Sequence, residues 1–389
     1  MRLARRSLLI GGLALGALAG RVCAAEHPSA GEGHAPPPAA PPPPTISTPL
    51  PKKKKKPRPL KDVPYTPLDQ IPNHRRLMRE VLITLANYGK ARRLSFITMI
   101  RNAPELVIKE RREWLWESGR DPDGAAQGKY SPQGAILREM LKPLDGMLCD
   151  GLFYGRESAG TPTDADDRVV ALQAIKALDA QGRKICAIEY CQDGKQAADA
   201  LKHHRALHLV PFIDQSGSRA LEHLPRSAPF EENPRHITAL GQVRNVLPLW
   251  SSAHFASKGA WIEALAATNY DLLIVESYWR GTEPLTREDV HALQYKAIGA
   301  RRLVLAILPV GRARDTAFYW QTGWSVGQPA WLVAPDPADP AAIVVEFWNP
   351  AWKEVLGKIM QGVVDVGFDG VLFDQADSYL PFEEMMPVE

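Results

Sequence analysis

Acidic residues stand where apolar runs stop. "FDGVLFD" (368–374) ends on Asp374, and Asp377 and Tyr379 follow directly in "QADSY". "LDGMLCD" (144–150) repeats the same pattern, apolar-Asp-Gly-apolar-Leu-X-Asp, and ends on Asp150. Other apolar runs close on Asn102, on Glu189 with Tyr190, on Asp214, and on Glu276 with Tyr278. Acids interleaved with aromatic rings suit carbohydrate chemistry: flat rings stack on sugar faces and carboxylates accept hydrogen bonds from hydroxyls. Two carboxylates can also divide the acid and the base or nucleophile roles across a glycosidic bond. The plain alternative is that such acids cap helices or form structural ion pairs.

The elements that would position these residues follow from hydrophobic periodicity. "HRRLMREVLITLANYGKARR" places Leu77, Val81, Leu82 and Leu85 on one helical side. Short apolar runs then recur between helical stretches: 94–100, 145–150, 184–190, 207–214, 271–278, 302–311, 342–348 and 368–374. Near-continuous apolar strands alternating with amphipathic helices predict a parallel sheet covered by helices. This many units over 65–389 predict a single-domain α/β fold, a (β/α)8 TIM-type barrel. "VLPLW" (246–250) and "AWLVAP" (330–335) are also strand-like, so the count can shift by one. In such a barrel the C-terminal strand ends and their loops build the site.

Residues 1–25 carry a basic start with Arg5-Arg6, an apolar stretch and small residues, the pattern of a signal peptide with a twin-arginine character. An exported protein, periplasmic or extracellular, is expected. Residues 26–64 form a Pro/Lys-rich linker in which proline runs favour extended chain. Its Lys52–Lys56 run is a solvated charge block that would give weak association with an anionic envelope surface. A net charge of +3, with much of the basic excess in these segments, gives no reason to expect nucleic acid as a partner. No P-loop is present, and no Cys/His spacing suggests zinc, so neither cofactor nor metal is expected. His203, His204 and His208 read as a solvated helix end. Cys149, Cys186 and Cys191 allow one disulfide, between Cys149 and one of the others.

The C-terminal half resembles the front half of the endo-α-1,4-polygalactosaminidase family (glycoside hydrolase family 114) and its bacterial relatives. The resemblance lies in "YDLLIVESY", "RRLVLAILPVG", "FYWQTGW", "EFWNPAWKEVL" and "GFDGVLFDQADSY", in that order. The N-terminal half resembles the family's back half through "FITMIRNAPEL", "LDGMLCDGLFY" and "GRKICAIEYC", as in a circular permutation. Residues 215–260 match poorly. The resemblance implies a glycosidase with Asp374 and Asp150 as the catalytic carboxylates, Asp150 standing where the family has Glu. Asn102, Glu189, Tyr190, Glu276, Tyr278, Asp377 and Tyr379 would then contact a polysaccharide or oligosaccharide substrate, for which an acidic cup suggests a galactosamine-containing chain. Arg312 and Ala317 depart from the family, where an acid and an arginine are expected. These departures leave open a non-catalytic glycan-binding or envelope scaffold barrel.

Overall fold

The computed structural model describes residues 66–337 and 339–388; the expected signal peptide, linker and lysine run lie outside them. Eight parallel strands form a nearly closed barrel sheet: β1 Ile97–Arg101, β2 Gly146–Asp150, β3 Lys184–Tyr190, β4 Val210–Asp214, β5 Val246–Leu249, β6 Leu272–Glu276, β7 Leu303–Pro309 and β8 Gly370–Asp374. Each pairs with its sequence neighbour except at one joint, and β8 returns to pair with β1, Ile97 opposite Gly370 through Ile100 opposite Phe373. β4 and β5 stand at the two ends of this hydrogen-bonded order. The fold is a single (β/α)8 TIM-type barrel, as the alternating pattern predicts.

One expected barrel strand belongs elsewhere. Ala342–Val345 lies in a small antiparallel sheet with Arg312–Arg314 and Leu332–Pro335, and "VLPLW" supplies β5 instead. Parallel neighbours need a long crossover, usually a helix, whereas short returns give antiparallel pairs. The chain between β7 and Ala342 carries no helix among the described residues.

The flanking helices show why the sequence packs this way. α1 (His74–Arg92) starts where the Asn73 side chain accepts the Arg76 N–H at 2.9 Å, and it buries Met78, Val81, Leu82 and Leu85. The last long helix, Pro350–Val366, is capped by Asn349 and begins on proline. It ends on Gly367 at φ 97°, a left-handed cap that glycine adopts without a Cβ clash. Trp352, Leu356, Ile359, Met360 and Val363 form its buried face, and the chain then enters β8.

The repeated Asp-Gly pair is a device at the N-terminal ends of the strands. Asp145 accepts the Thr98 N–H at 2.8 Å and Lys90 Nζ at 2.5 Å, tying the foot of β2 to β1. Asp369 accepts the Val304 N–H at 2.9 Å and Arg301 Nη2 at 2.7 Å, tying β8 to β7. The following glycines let adjacent strands approach: a Cβ on Gly146 would press on the Lys184 carbonyl, and one on Gly370 on the Ile97 carbonyl. Because that obstacle is backbone, Gly370→Ala should destabilise the barrel by about 1–3 kcal/mol, read as a lower urea midpoint. An unchanged midpoint would show that β1 and β8 part freely.

Candidate active site

At the opposite ends of the same two strands, Asp150 and Asp374 flank β1, and Arg101 at the end of β1 reaches both. Its Nη1 donates to Asp374 Oδ1 at 3.0 Å and its Nη2 pairs with Asp150 Oδ2. The guanidinium also lies 4.6 Å from the Trp250 ring centroid, across the mouth beyond β5. Burial works against the Arg101 charge, but Asp374 and then Asp150 outweigh it and hold the guanidinium above its ordinary range. The matched motif therefore yields two acids that share one cation.

Two hollows at this end of the barrel take in the expected residues. One is a cleft of about 650 Å³ containing Asp374, Glu276 and Tyr278 together with Arg101, Trp250 and Phe318. Tyr278 and Phe318 stack face to face, centroids 4.1 Å apart and planes 7° apart. The smaller, about 220 Å³, contains Asn102, Asp150 and Asp377. Asn102 sits at φ 54° and its side-chain oxygen accepts the Asp150 N–H at 2.9 Å, fixing the end of β2. The Asp150 side chain is only 1% exposed, against 14% for Asp374, so the two carboxylates face different spaces.

The remaining expected sugar contacts are buried in the fold. Glu189 is fully buried; its Oε2 accepts the Phe153 and Tyr154 N–H groups at 2.9 and 2.7 Å, and its Oε1 lies 2.9 Å from His204 Nε2. It anchors the loop after β2, where peptide N–H groups would otherwise go unpaired. His204, expected on a solvated helix end, is correspondingly buried. Tyr190 lies beneath Arg219, 5.2 Å from ring centroid to guanidinium. Tyr379 is buried with its hydroxyl donating to Glu105 at 2.8 Å. Neither ring is free to stack on a sugar. Asp214 folds back on Ser216, accepting its N–H at 3.0 Å and its hydroxyl at 2.8 Å. Cys149, Cys186 and Cys191 are free, buried thiols, so the disulfide that their number allows is not formed.

The cleft is of mixed charge. Arg101, Arg219, Arg312 and Arg314 line it beside Glu222, Glu276, Asp339 and Asp374. Arg312 Nε pairs with Asp336 at 2.6 Å, and Arg314 pairs with Asp339. The acidic cup expected from strand ends is thus offset by arginines from β1, the small antiparallel sheet and the segment after β4. Charge alone gives no preference for a cationic sugar. Burial raises the pKa of Glu276, opposed by the Ser252 N–H that its Oε2 accepts at 2.8 Å. Burial also raises Asp377, followed by the nearby Asp374 charge. Arg101, Arg219, Trp250 and Phe318 line the cleft without being among the expected site residues. For Arg101 the signal was present, as the last residue of an apolar strand beside Asn102.

No protein-family model matches the chain. It is similar to an uncharacterized protein of Deinococcus radiodurans, 33% identical over 118 residues, covering 30% of this chain and 37% of that protein. An uncharacterized protein of Methanocaldococcus jannaschii is 27% identical over 150 residues, 38% of this chain and 41% of that protein. One of Thermotoga maritima is 27% identical over 117 residues, covering 30% and 35%. The chain thus spans well under half the length of the curated relatives it matches.

Proposed function

We propose that the cleft at the barrel mouth binds a polysaccharide and that Asp374 and Glu276 act on one of its glycosidic bonds. The observation that carries this is one cleft holding an ion-paired carboxylate, a carboxylate raised by burial and a pair of stacked rings. Only β7 separates the strands of the two acids. Neighbouring strands lie ~4.8 Å apart, so inward side chains two strands away can come within roughly 5–9 Å, the span used by glycosidase pairs. Glu276 would give its proton to the leaving oxygen, while Asp374 attacks the anomeric carbon or activates a water. Tyr278 and Phe318 offer a sugar platform, and Asp150 becomes a positioning residue for Arg101. The motif resemblance to polygalactosaminidases supports a glycoside substrate. The export pattern in residues 1–25 would place that substrate in the envelope or outside the cell.

A second reading, glycan binding without cleavage, is favoured by Arg101, which spans the space between Asp374 and Asp150. Incubation with cationic, N-acetylated and acidic polysaccharides, followed by reducing-end detection, separates the two. Product that disappears in Asp374→Asn, with binding retained, is expected. Cleavage by Asp374→Asn at the parental rate would sink the hydrolytic reading, and binding without product over long incubation would establish the second.

A further inference from the structure

The segment 215–245 joins β4 to β5, and the loop after β5 faces it. Three side chains from these loops converge beside the cleft. His254 Nε2 lies 3.0 Å from Glu222 Oε2, and His223 Nε2 lies 3.7 Å from Glu222 Oε1. The two imidazoles approach to 4.5 Å between centroids, and one ligand atom from each residue lies within 4.8 Å of the others. We propose that Glu222, His223 and His254 form a binding site for a divalent transition-metal ion.

The donor chemistry supports this. Nitrogen and carboxylate ligands bind zinc at ~2.0–2.2 Å, which sets ligand atoms roughly 3–3.5 Å apart around the ion. The separations above need only small rotations about side-chain bonds to meet that spacing. Two imidazoles with one carboxylate make an open set for Zn²⁺ or a neighbouring first-row ion, whereas Ca²⁺ and Mg²⁺ take oxygen ligands. A Glu–His ion pair on a surface needs one imidazole; here two turn Nε2 to the same carboxylate.

Exposure indicates the kind of site. The His223 and His254 side chains are 64% and 49% exposed, and Glu222 is 31% exposed. An ion held there keeps coordination positions open to water or to an oxygen of a bound molecule, unlike a closed structural site. Glu222 lines both the cleft and an adjoining hollow of about 970 Å³ that also contains His223 and His254. The site therefore sits on the wall between the two spaces. It lies in the stretch that resembles polygalactosaminidases least, and it does not depend on what the cleft binds.

Zinc itself is the probe. Untagged protein stripped with a chelator and titrated with Zn²⁺ by calorimetry should show one dominant ion per chain. His223→Ala, His254→Ala and Glu222→Gln should each weaken it by at least the roughly 10–100-fold that losing an outer partner costs. His208→Ala, at an exposed histidine before β4, should leave it unchanged. Circular dichroism confirms that the variants fold, which these surface positions favour. Undiminished zinc binding by the His223→Ala/His254→Ala variant would overturn the proposal. So would uptake with no one-per-chain class, or tighter binding of Ca²⁺ than of Zn²⁺.

Discussion

Arg101→Met should destabilise the barrel by about 3–5 kcal/mol, the usual cost of breaking one side of a buried ion pair. The variant keeps most of the hydrophobic stem but leaves Asp150, with a side chain 1% exposed, without its guanidinium. Arg219 lies 4.0 Å from Asp150 and is 37% exposed, too distant and too well solvated to replace it fully. Asp374, at the rim of the cleft, has access to water and loses less. The diagnostic comparison is therefore the double variant Arg101→Met/Asp150→Asn, which removes the stranded charge and should recover most of the loss. Urea midpoints of parent, singles and double complete the cycle. If the double is as unstable as Arg101→Met alone, the stem packing rather than the ion pair accounts for the effect, and Asp150 has no positioning role.

Glu276→Gln should lower kcat by about 10²–10⁴-fold, the contribution expected of a positioned general acid, while substrate binding persists. The pH profile carries the sharper evidence. Burial raises the Glu276 pKa, and the acid works only while protonated, so kcat/KM should fall as pH rises through that raised value. The descending limb should vanish in Glu276→Gln. Asp374→Asn, by contrast, removes the attacking or water-activating carboxylate and should abolish the activity itself. A descending limb that survives in Glu276→Gln would move the acid role to another group, with Asp377, also raised by burial, the next to test.

How far the sequence reached can be judged from particular residues. The barrel was legible because helix and strand periods alternate regularly, and "FDGVLFD" and "LDGMLCD" do end on either side of β1, staggered by two residues, with Gly370 opposite Ile97 and Gly146 opposite Met99. The strand at 342–345 was misplaced because an apolar run of strand length carries no mark of parallel or antiparallel partners; only the absence of a crossover helix decided it. For the acids, period gives the strand end but not the destination of the side chain. Glu189 and Glu276 look alike in "AIEY" and "IVES", yet one meets the N–H groups of a folded-back loop and the other lines the cleft. Tyr379 turned inward for a similar reason, its partner Glu105 being remote in sequence. Loop residues such as Arg219 and His254 carry no periodic signal at all.

The joint between β4 and β5 gives the barrel a property that a fully laced one lacks. Seven strand pairings lace the sheet, and at the eighth position the two rims face each other without a ladder. The connecting segment reaches across instead, with the Trp250 N–H donating to the Leu221 carbonyl at 2.8 Å. Trp250, Arg219 and Glu222 all lie beside that joint and all line the cleft. The barrel is thus a split ring: spreading it there would cost side-chain packing and the Trp250–Leu221 hydrogen bond but no strand ladder, whereas the Arg101 side is held by two ion pairs as well as its ladders.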